Sequence, residues 1–339
     1  MLFSLLPNVG HTSGTTVRAL RLLKALSLEF SILLVNRGKD GQVPIPGIQR
    51  YMVVPVDARL WPLKIAKPFL RNKFDKIFLC NDWIGFPTLF VLSRIFDCQI
   101  IFDVQDFMRY HSGSGFLGKL LEKLVAKKSD KLIVVNERLR NAFASLNDNI
   151  KIIPVTVDTE LFKPRRNGRR NSRFKIGLIG PFDSYRNAKD LEYVSTKLSD
   201  FPSNADIYVI GHCTFSKERE KLIYTGHLSL ERYIETLNEM DVVVVPSIVP
   251  TGGPLNKILE SMACGKPVIT TPNGLTGIDN VLPGEEIVVT NLDLMAATIT
   301  RLTTQTNLLQ EIGTRARECV LGNYSQKRIA SELRAFITQ

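Results

Sequence analysis

Between two apolar runs, Asp241–Pro246 and Pro267–Thr271, the chain carries Gly252, Gly253 and Pro254, followed by Asn256, Lys257 and Glu260. Paired glycines let a backbone turn sharply, and proline suits the first turn of a helix. A turn that opens a helix aims backbone N–H groups at one spot, at the positive end of the helix dipole. Phosphate is the usual guest there. Asn256, Lys257 and Glu260 share or flank one helical face at spacings of three and four. A cation can hold a phosphate, and a carboxylate can accept from a pair of sugar hydroxyls. The same residues also fit a plain strand–turn–helix with Lys257 and Glu260 as a solvated ion pair.

Elements on both sides must position such a site. Short runs rich in Ile, Val, Leu and Phe predict strands at 1–6, 30–35, 50–54, 76–80, 99–103, 131–135 and 151–154. They show little alternation, as strands buried on both faces of a parallel sheet do. Helices are predicted at 16–29, 84–96, 117–129 and 136–146. Pro164–Arg173 is polar and very basic and reads as a linker. Further strands follow at 174–180, 206–210, 222–225, 241–246, 267–270 and 286–289. The fold class is therefore α/β, with two doubly wound parallel-sheet, Rossmann-like domains facing a cleft. The expected boundaries are 1–163, a linker at 164–173, a second domain at 174–323, and a last helix at 324–339 that returns to the first domain.

The 339 residues carry 44 basic and 33 acidic side chains, a formal charge of +11. That excess favours an anionic partner. No run is long enough to span a membrane. Cys80, Cys98, Cys213, Cys264 and Cys319 stand singly inside apolar stretches, so neither a zinc site nor a disulfide framework is suggested. A reducing cytoplasm fits. No aromatic stacking platform or recognition helix accompanies the arginines of the linker, so no nucleic-acid partner is expected.

Several segments in this order resemble the GT-B glycosyltransferases, specifically the retaining family 4 (glycosyl transferases group 1). They are Lys128–Asn136, Ile152–Pro164, Phe174–Gly180, Tyr224–Leu228 with Asp241–Ser247, and Gly252–Ile269. The resemblance implies that Glu260 binds the ribose hydroxyls of a nucleoside-diphosphate sugar. It places Gly253, Pro254, Leu255 and Asn256 at the diphosphate and sugar, with Lys257 beside them, and Gly226, His227 and Leu228 around the base. Arg186 and Lys189 supply phosphate charge, or else form a solvated helix start. Gln105 and Asp106 take the catalytic position. In the first domain Gly14 and Thr15 belong to a glycine-bearing loop near the phosphates and acceptor. That loop also reads as an ordinary strand-to-helix turn. Asp82 faces the acceptor, or caps a helix.

The sequence departs from the family pattern at three places. Gly252 stands where a glutamate is common, Pro181 where an arginine follows the glycine, and Gln105 where a histidine precedes aspartate. The resemblance implies a retaining transfer in which the leaving phosphate takes the acceptor's proton. No metal and no cofactor are expected; the nucleotide sugar is a substrate. A polysaccharide-biosynthesis role, with a lipid-linked or cell-envelope acceptor, follows from basic amphipathic stretches at Arg59–Lys73 and Gly118–Lys128. These can rest on an anionic membrane surface, the inner face of the cell membrane, or pack on the sheet with their lysines solvated. A catalytically degenerate subunit that supports a partner transferase is the alternative reading.

Overall fold

The computed structural model describes residues 1–6, 14–36, 50–53, 61–108, 115–165, 173–214, 221–250 and 253–339. Pro7–Ser13 of the glycine-bearing loop, Arg59–Leu60, the central linker residues 166–172 and Gly252 lie outside them. So do the side chains of Gly14, Thr15, Trp61 and Leu63.

The chain divides into two compact units, Met1–Thr156 with Gln326–Gln339, and Val157–Ser325. The first contains β1 (Leu2–Leu6), α1 (Gly14–Leu26), β2 (Ile32–Asn36), β3 (Arg50–Val53), α2 (Trp61–Phe69) and β4 (Lys76–Cys80). It continues through α3 (Phe86–Ile95), β5 (Gln99–Val104), α4 (Gly115–Lys128), β6 (Lys131–Val134), α5 (Glu137–Phe143) and β7 (Ile150–Ile152). Among the described residues these strands form one parallel sheet in the order β3-β2-β1-β4-β5-β6-β7. Phe3, Phe78, Phe102, Ile101 and Ile133 are buried in it, as strands covered on both faces require.

The second unit contains β8 (Phe174–Ile179), α6 (Tyr185–Thr196), β9 (Ala205–Ile210), β10 (Leu222–Gly226), α7 (Leu230–Glu239) and β11 (Val242–Val245). Then follow α8 (Asn256–Ala263), β12 (Val268–Thr270), β13 (Val288–Val289), α9 (Leu292–Thr303) and α10 (Thr306–Asn323). Its parallel sheet runs β10-β9-β8-β11-β12-β13. Strand order reverses between β1 and β4 in the first sheet and between β8 and β11 in the second. Ligands of doubly wound sheets bind at such reversals, beyond the carboxyl ends of the strands.

Each reversal is marked by a residue in the left-handed region: Asn81, just after β4, has φ 51°, and Ser247, just after β11, has φ 44°. Neither is glycine; the conformation costs about 1–2 kcal/mol at Ser247 and less at Asn81, since asparagine enters this region more readily. Strain of this kind persists where neighbours over-determine it, and it gathers at functional sites.

The first unit closes at Thr156, seven residues before the expected boundary at 163. Val157 N already donates to Tyr324 O at 2.8 Å in the second unit, and Asn238 on α7 holds the chain further on. Its side chain accepts from Arg165 N at 2.8 Å and donates to Lys163 O at 3.2 Å, which fixes the incoming chain to the second unit. The last helix, α11 (Gln326–Thr338), lies in the first unit, where Ile329, Leu333 and Ile337 join Leu22, Leu23 and Leu26 of α1 in one core cluster.

The two basic stretches behave differently. On α2, Ile65 and Phe69 are buried, and Phe69 packs among Phe3, Phe74 and Phe96. That face packs in the core, as in the second of the two placements expected for this stretch, while Leu70 is exposed. On α4 Phe116, Leu117, Leu120 and Leu124 are exposed, while Leu121 is half-buried and Val125 is buried. No helix among the described residues is long and apolar enough to cross a membrane.

Candidate functional site

In the second unit the reversal between β8 and β11 collects α6, α8 and the turn after β11. Leu255 occupies the cap position of α8 in an extended conformation and supplies no capping side chain. Gly253, Pro254 and Leu255 lead into the helix half-buried, and Asn256 and Lys257 form its first turn. The start of α8 thus keeps the anion-attracting end of its dipole.

Lys257 does not pair with Glu260. Its ammonium donates to Ile179 O at 2.9 Å and to Asn187 Oδ1 at 2.9 Å, and lies 3.6 Å from Asp190 Oδ2. Burial pushes its pKa below the usual lysine value, against the opposing pull of Asp190. Asp190 also accepts from Ile248 N at 3.1 Å. Lys257 and Asp190 therefore tie the end of β8 to α6, α8 and the strained turn at Ser247. The solvated ion pair read from the sequence is replaced by this buried tie, because all three partners of Lys257 come from a distant helix and strand.

Close backbone approach completes the frame. A Cβ on Gly180 would lie 2.6 Å from Asn187 Cγ, and one on Gly211, whose φ is 129°, would overlap Gly180 O. Asp183, in the loop after β8, accepts from Thr214 N at 2.9 Å and pairs with His212 after β9. These contacts, led by those from Thr214, draw its carboxyl down to about 2.

Two polar atoms in this frame are buried without a hydrogen-bond partner among the described residues: Arg186 Nε and Ser247 Oγ. Arg186 opens α6, and its charge reaches Lys257. Buried donors are almost always satisfied, so such an orphan is a place for an acceptor that the protein itself does not supply. Lys189 instead pairs with Glu192 at 2.8 Å on an exposed face of α6.

Glu260 is half-buried on α8 and accepts from Tyr233 Oη at 3.1 Å. Burial, and next the charge of Glu260, raise the Tyr233 phenol well above its usual value. Gly226 ends β10 with φ 67°, followed by exposed His227 and half-buried Leu228. Gly226 forms a backbone bridge to Gly211.

In the first unit Asp103 is fully buried at the end of β5. Arg18 of α1 donates to it from Nε at 3.0 Å and from Nη2 at 2.6 Å, and to Ile153 O and Pro154 O at 2.7 and 2.8 Å. Gln105 turns its amide onto Asp103 Oδ2 at 3.2 Å and Cys80 Sγ at 3.3 Å. Asp106 accepts from Phe107 N at 2.8 Å. Asp82 is buried and accepts from Gly85 N at 3.0 Å, which steers the entry to α3.

Sequence reasoning missed Arg18, Asp190, Asn187, Tyr233, His212 and Ser247. Arg18 had a signal: it sits on the buried stripe of α1 with Leu22 and Ala25. A cation there demands a buried partner.

Residues 173–305 match the family model described as Glycosyl transferases group 1. This stretch includes β8 to α9 and every donor-side candidate. An uncharacterized glycosyltransferase of Methanocaldococcus jannaschii is 21% identical over 241 residues, 65% of this chain and 61% of the relative. The match thus spans less than two thirds of that relative's length.

The fold is similar to that of sucrose-phosphate synthase from Thermosynechococcus elongatus, with TM-score 0.81, 17% identity, and coverage of 100% and 98% of the two chains. It is also similar to that of Anabaena HepE in complex with UDP, with TM-score 0.82, 15% identity and full coverage of both. A structure of HepE with UDP-glucose gives TM-score 0.77, 16% identity, and coverage of 100% and 99%. The fold is the expected one, two doubly wound parallel-sheet units of GT-B architecture. The expected enzyme class, glycosyltransferase, is also the class of the matched family model.

Proposed function

We propose that this chain is a glycosyltransferase that takes its sugar from a nucleoside-diphosphate donor held at the β8–β11 reversal. The observation that carries the reading is the pair of buried, unpartnered polar atoms, Arg186 Nε and Ser247 Oγ, in the frame that also holds α8. A diphosphate satisfies both a planar guanidinium and the N–H groups of a helix start. Gly253, Pro254, Leu255 and Asn256 bring the backbone to the phosphates. Glu260 accepts from the ribose hydroxyls, and Gly226, His227 and Leu228 border the base. Lys189 supplies outlying charge, while Lys257 acts from behind as the tie that fixes α8. UDP-sugars are the first donors to test, because two structures of similar fold hold UDP and UDP-glucose.

The transfer is of the retaining type, as in family 4. The bond from the anomeric carbon to the phosphate oxygen breaks, the bond to the acceptor oxygen forms on the same face, and the acceptor's proton passes to the departing phosphate. Arg186 and the α8 amides stabilise the charge that develops there, without a metal. The acceptor, a lipid-linked or cell-envelope glycan, meets the first unit near Asp82, Gln105, Asp106 and the start of α1 at Gly14 and Thr15.

One observation favours a second reading, a degenerate subunit that supports a partner transferase. Gln105 is engaged with Asp103 and Cys80 and has no titratable proton to give. Incubating the purified protein with UDP-, GDP-, dTDP- and ADP-sugars separates the two. Thermal stabilisation by one donor together with its slow hydrolysis supports the enzyme. No shift with any of the four overturns the donor site.

A further inference from the structure

We propose that α4 docks the first unit on an anionic lipid surface. Phe116, Leu117, Leu120 and Leu124 are 80%, 72%, 56% and 41% exposed. Single exposed apolar residues are ordinary, but a contiguous set on one helix marks an interaction surface. At 3.6 residues per turn these four side chains share one arc of about 100°. The opposite side of α4 is already used, for Gly118, Val125 and Ala126 are buried. Its one acid, Glu122, is buried with them. The helix is thus inverted relative to an ordinary surface helix, with its leucines outward and its carboxylate inward.

Charge selects the occupant. On the same helical projection Lys119 and Lys123 flank one edge of the apolar arc, Lys128 flanks the other, and Lys127 closes its C-terminal end. All four are exposed, and no acid accompanies them on that side. A helix with an apolar arc bordered by lysines lies in the plane of a lipid interface. The arc enters the acyl boundary while the ammonium groups meet anionic headgroups. A second copy of the chain would set like charges against like across a two-fold contact, which repels.

The helix is also held in place before any contact is made. Arg94 of α3 binds Asp130 at 3.0 Å, and Asn147 donates to Ala126 O and Ser129 O, each at 2.8 Å. Docking therefore orders little new chain. The proposal stands on α4 alone and does not rest on the donor site.

The test is co-sedimentation of the full chain with vesicles of phosphatidylcholine alone, and with vesicles of equal parts phosphatidylcholine and phosphatidylglycerol. The wild type is expected to pellet with the acidic vesicles only, and less strongly as salt rises. Phe116→Ser with Leu120→Ser is expected to lower binding about ten-fold or more. Lys119→Gln with Lys123→Gln is expected to lower it roughly twenty-five-fold, about five-fold per lysine. Both pairs are exposed, so unchanged melting curves verify folding. Failure of the wild type to bind acidic vesicles at low or physiological salt overturns the proposal. Equal binding by folded variants overturns it too, as does a dimer in sedimentation equilibrium that Phe116→Ser with Leu120→Ser dissolves while vesicle binding persists.

Discussion

Tyr233 Oη donates to Glu260 Oε2 at 3.1 Å, from α7 onto α8. Tyr233 keeps its proton far into the alkaline range, because burial and the adjacent carboxylate both disfavour the phenolate. The bond therefore holds one oxygen of Glu260 in place at any physiological pH and leaves the carboxylate oriented for hydroxyl donors. In the proposed donor site Glu260 is the acceptor for the ribose hydroxyls. Glu260→Ala is expected to weaken donor nucleotide binding by about 3 kcal/mol, near two orders of magnitude. Tyr233→Phe removes only the orienting bond and is expected to cost about 1 kcal/mol, near five-fold. Isothermal titration with the nucleotide distinguishes them, and unchanged affinity in Glu260→Ala removes Glu260 from the site.

Arg18 and Asp103 form a buried pair joining α1, β5 and the chain after β7. Breaking such a pair leaves one charge without compensation. Arg18→Leu is expected to destabilise the first unit by about 3–5 kcal/mol. Replacing both, as Arg18→Leu with Asp103→Leu, is expected to cost less than the sum of the single changes, since no isolated charge remains. Urea unfolding of the two single variants and the double variant measures this. Additive losses would show that the two residues do not act as a pair.

Lys257 gives a pH dependence with a definite sign. Its pKa is lowered in the folded chain, so the unfolded chain binds its proton more tightly. Folding stability then rises with pH through the window between the lowered value and the unfolded value of 10.5. Lys257→Met has no such proton. The stability of wild type relative to Lys257→Met is therefore expected to grow from pH 8 toward pH 10. A flat difference in urea midpoints over that range would place the ammonium in water, and a falling one would mean that Asp190 outweighs burial.

These residues mark what the sequence could and could not disclose. The strands were legible because buried parallel strands are written as unbroken apolar runs, such as Ile100-Ile101-Phe102 and Val242-Val243-Val244-Val245. Element edges moved by one to three residues, as with the helix predicted at 136–146 that spans Glu137–Phe143. The start of α8 was legible because Gly-Gly-Pro is local. The tie at Lys257 was not, since Ile179, Asn187 and Asp190 lie 67 or more positions away in the chain. Spacing alone placed Lys257 beside Glu260, and only the folded sheet shows the ammonium turned back toward β8. Likewise Asp82 could be read as an acceptor group or a cap, and its bond to Gly85 N shows the steering role.

Cysteine reactivity follows from burial. Cys80, Cys98, Cys264 and Cys319 are buried, and Cys213 is half-exposed. Burial pushes the thiols of Cys264 and Cys319 up to about 12. At pH 8 only about one in ten thousand of each is a thiolate, the reactive form. Burial and the charge of Asp103 raise Cys80 well above its usual value as well. Native protein treated with iodoacetamide at pH 8 is expected to gain one label, at Cys213. Mass spectrometry of the digest checks the position. Prompt labelling of Cys80 would mean that the Arg18–Asp103 region opens readily.

Gly211 tests whether the proposed donor frame depends on close backbone contact. Its φ of 129° is one that L side chains rarely adopt, and a Cβ there would overlap the carbonyl oxygen of Gly180. Neither obstacle can be relieved by rotating a side chain, because both belong to the backbone. Gly211→Ala must therefore part the carboxyl ends of β8 and β9, which carry the loop of Asp183 and the turn of His212. The expected cost is about 2–4 kcal/mol, from the forced conformation and the displaced strand together. Gly284→Ala is the control: its φ is 89°, but nothing lies within 4 Å of the added atom. It carries the conformational cost alone, about 1–2 kcal/mol. Thermal melts are expected to rank wild type above Gly284→Ala, and Gly284→Ala above Gly211→Ala. Only Gly211→Ala is expected to weaken nucleotide binding as well. Equal melting points for the two variants would mean that the contact between Gly180 and Gly211 contributes nothing to the frame.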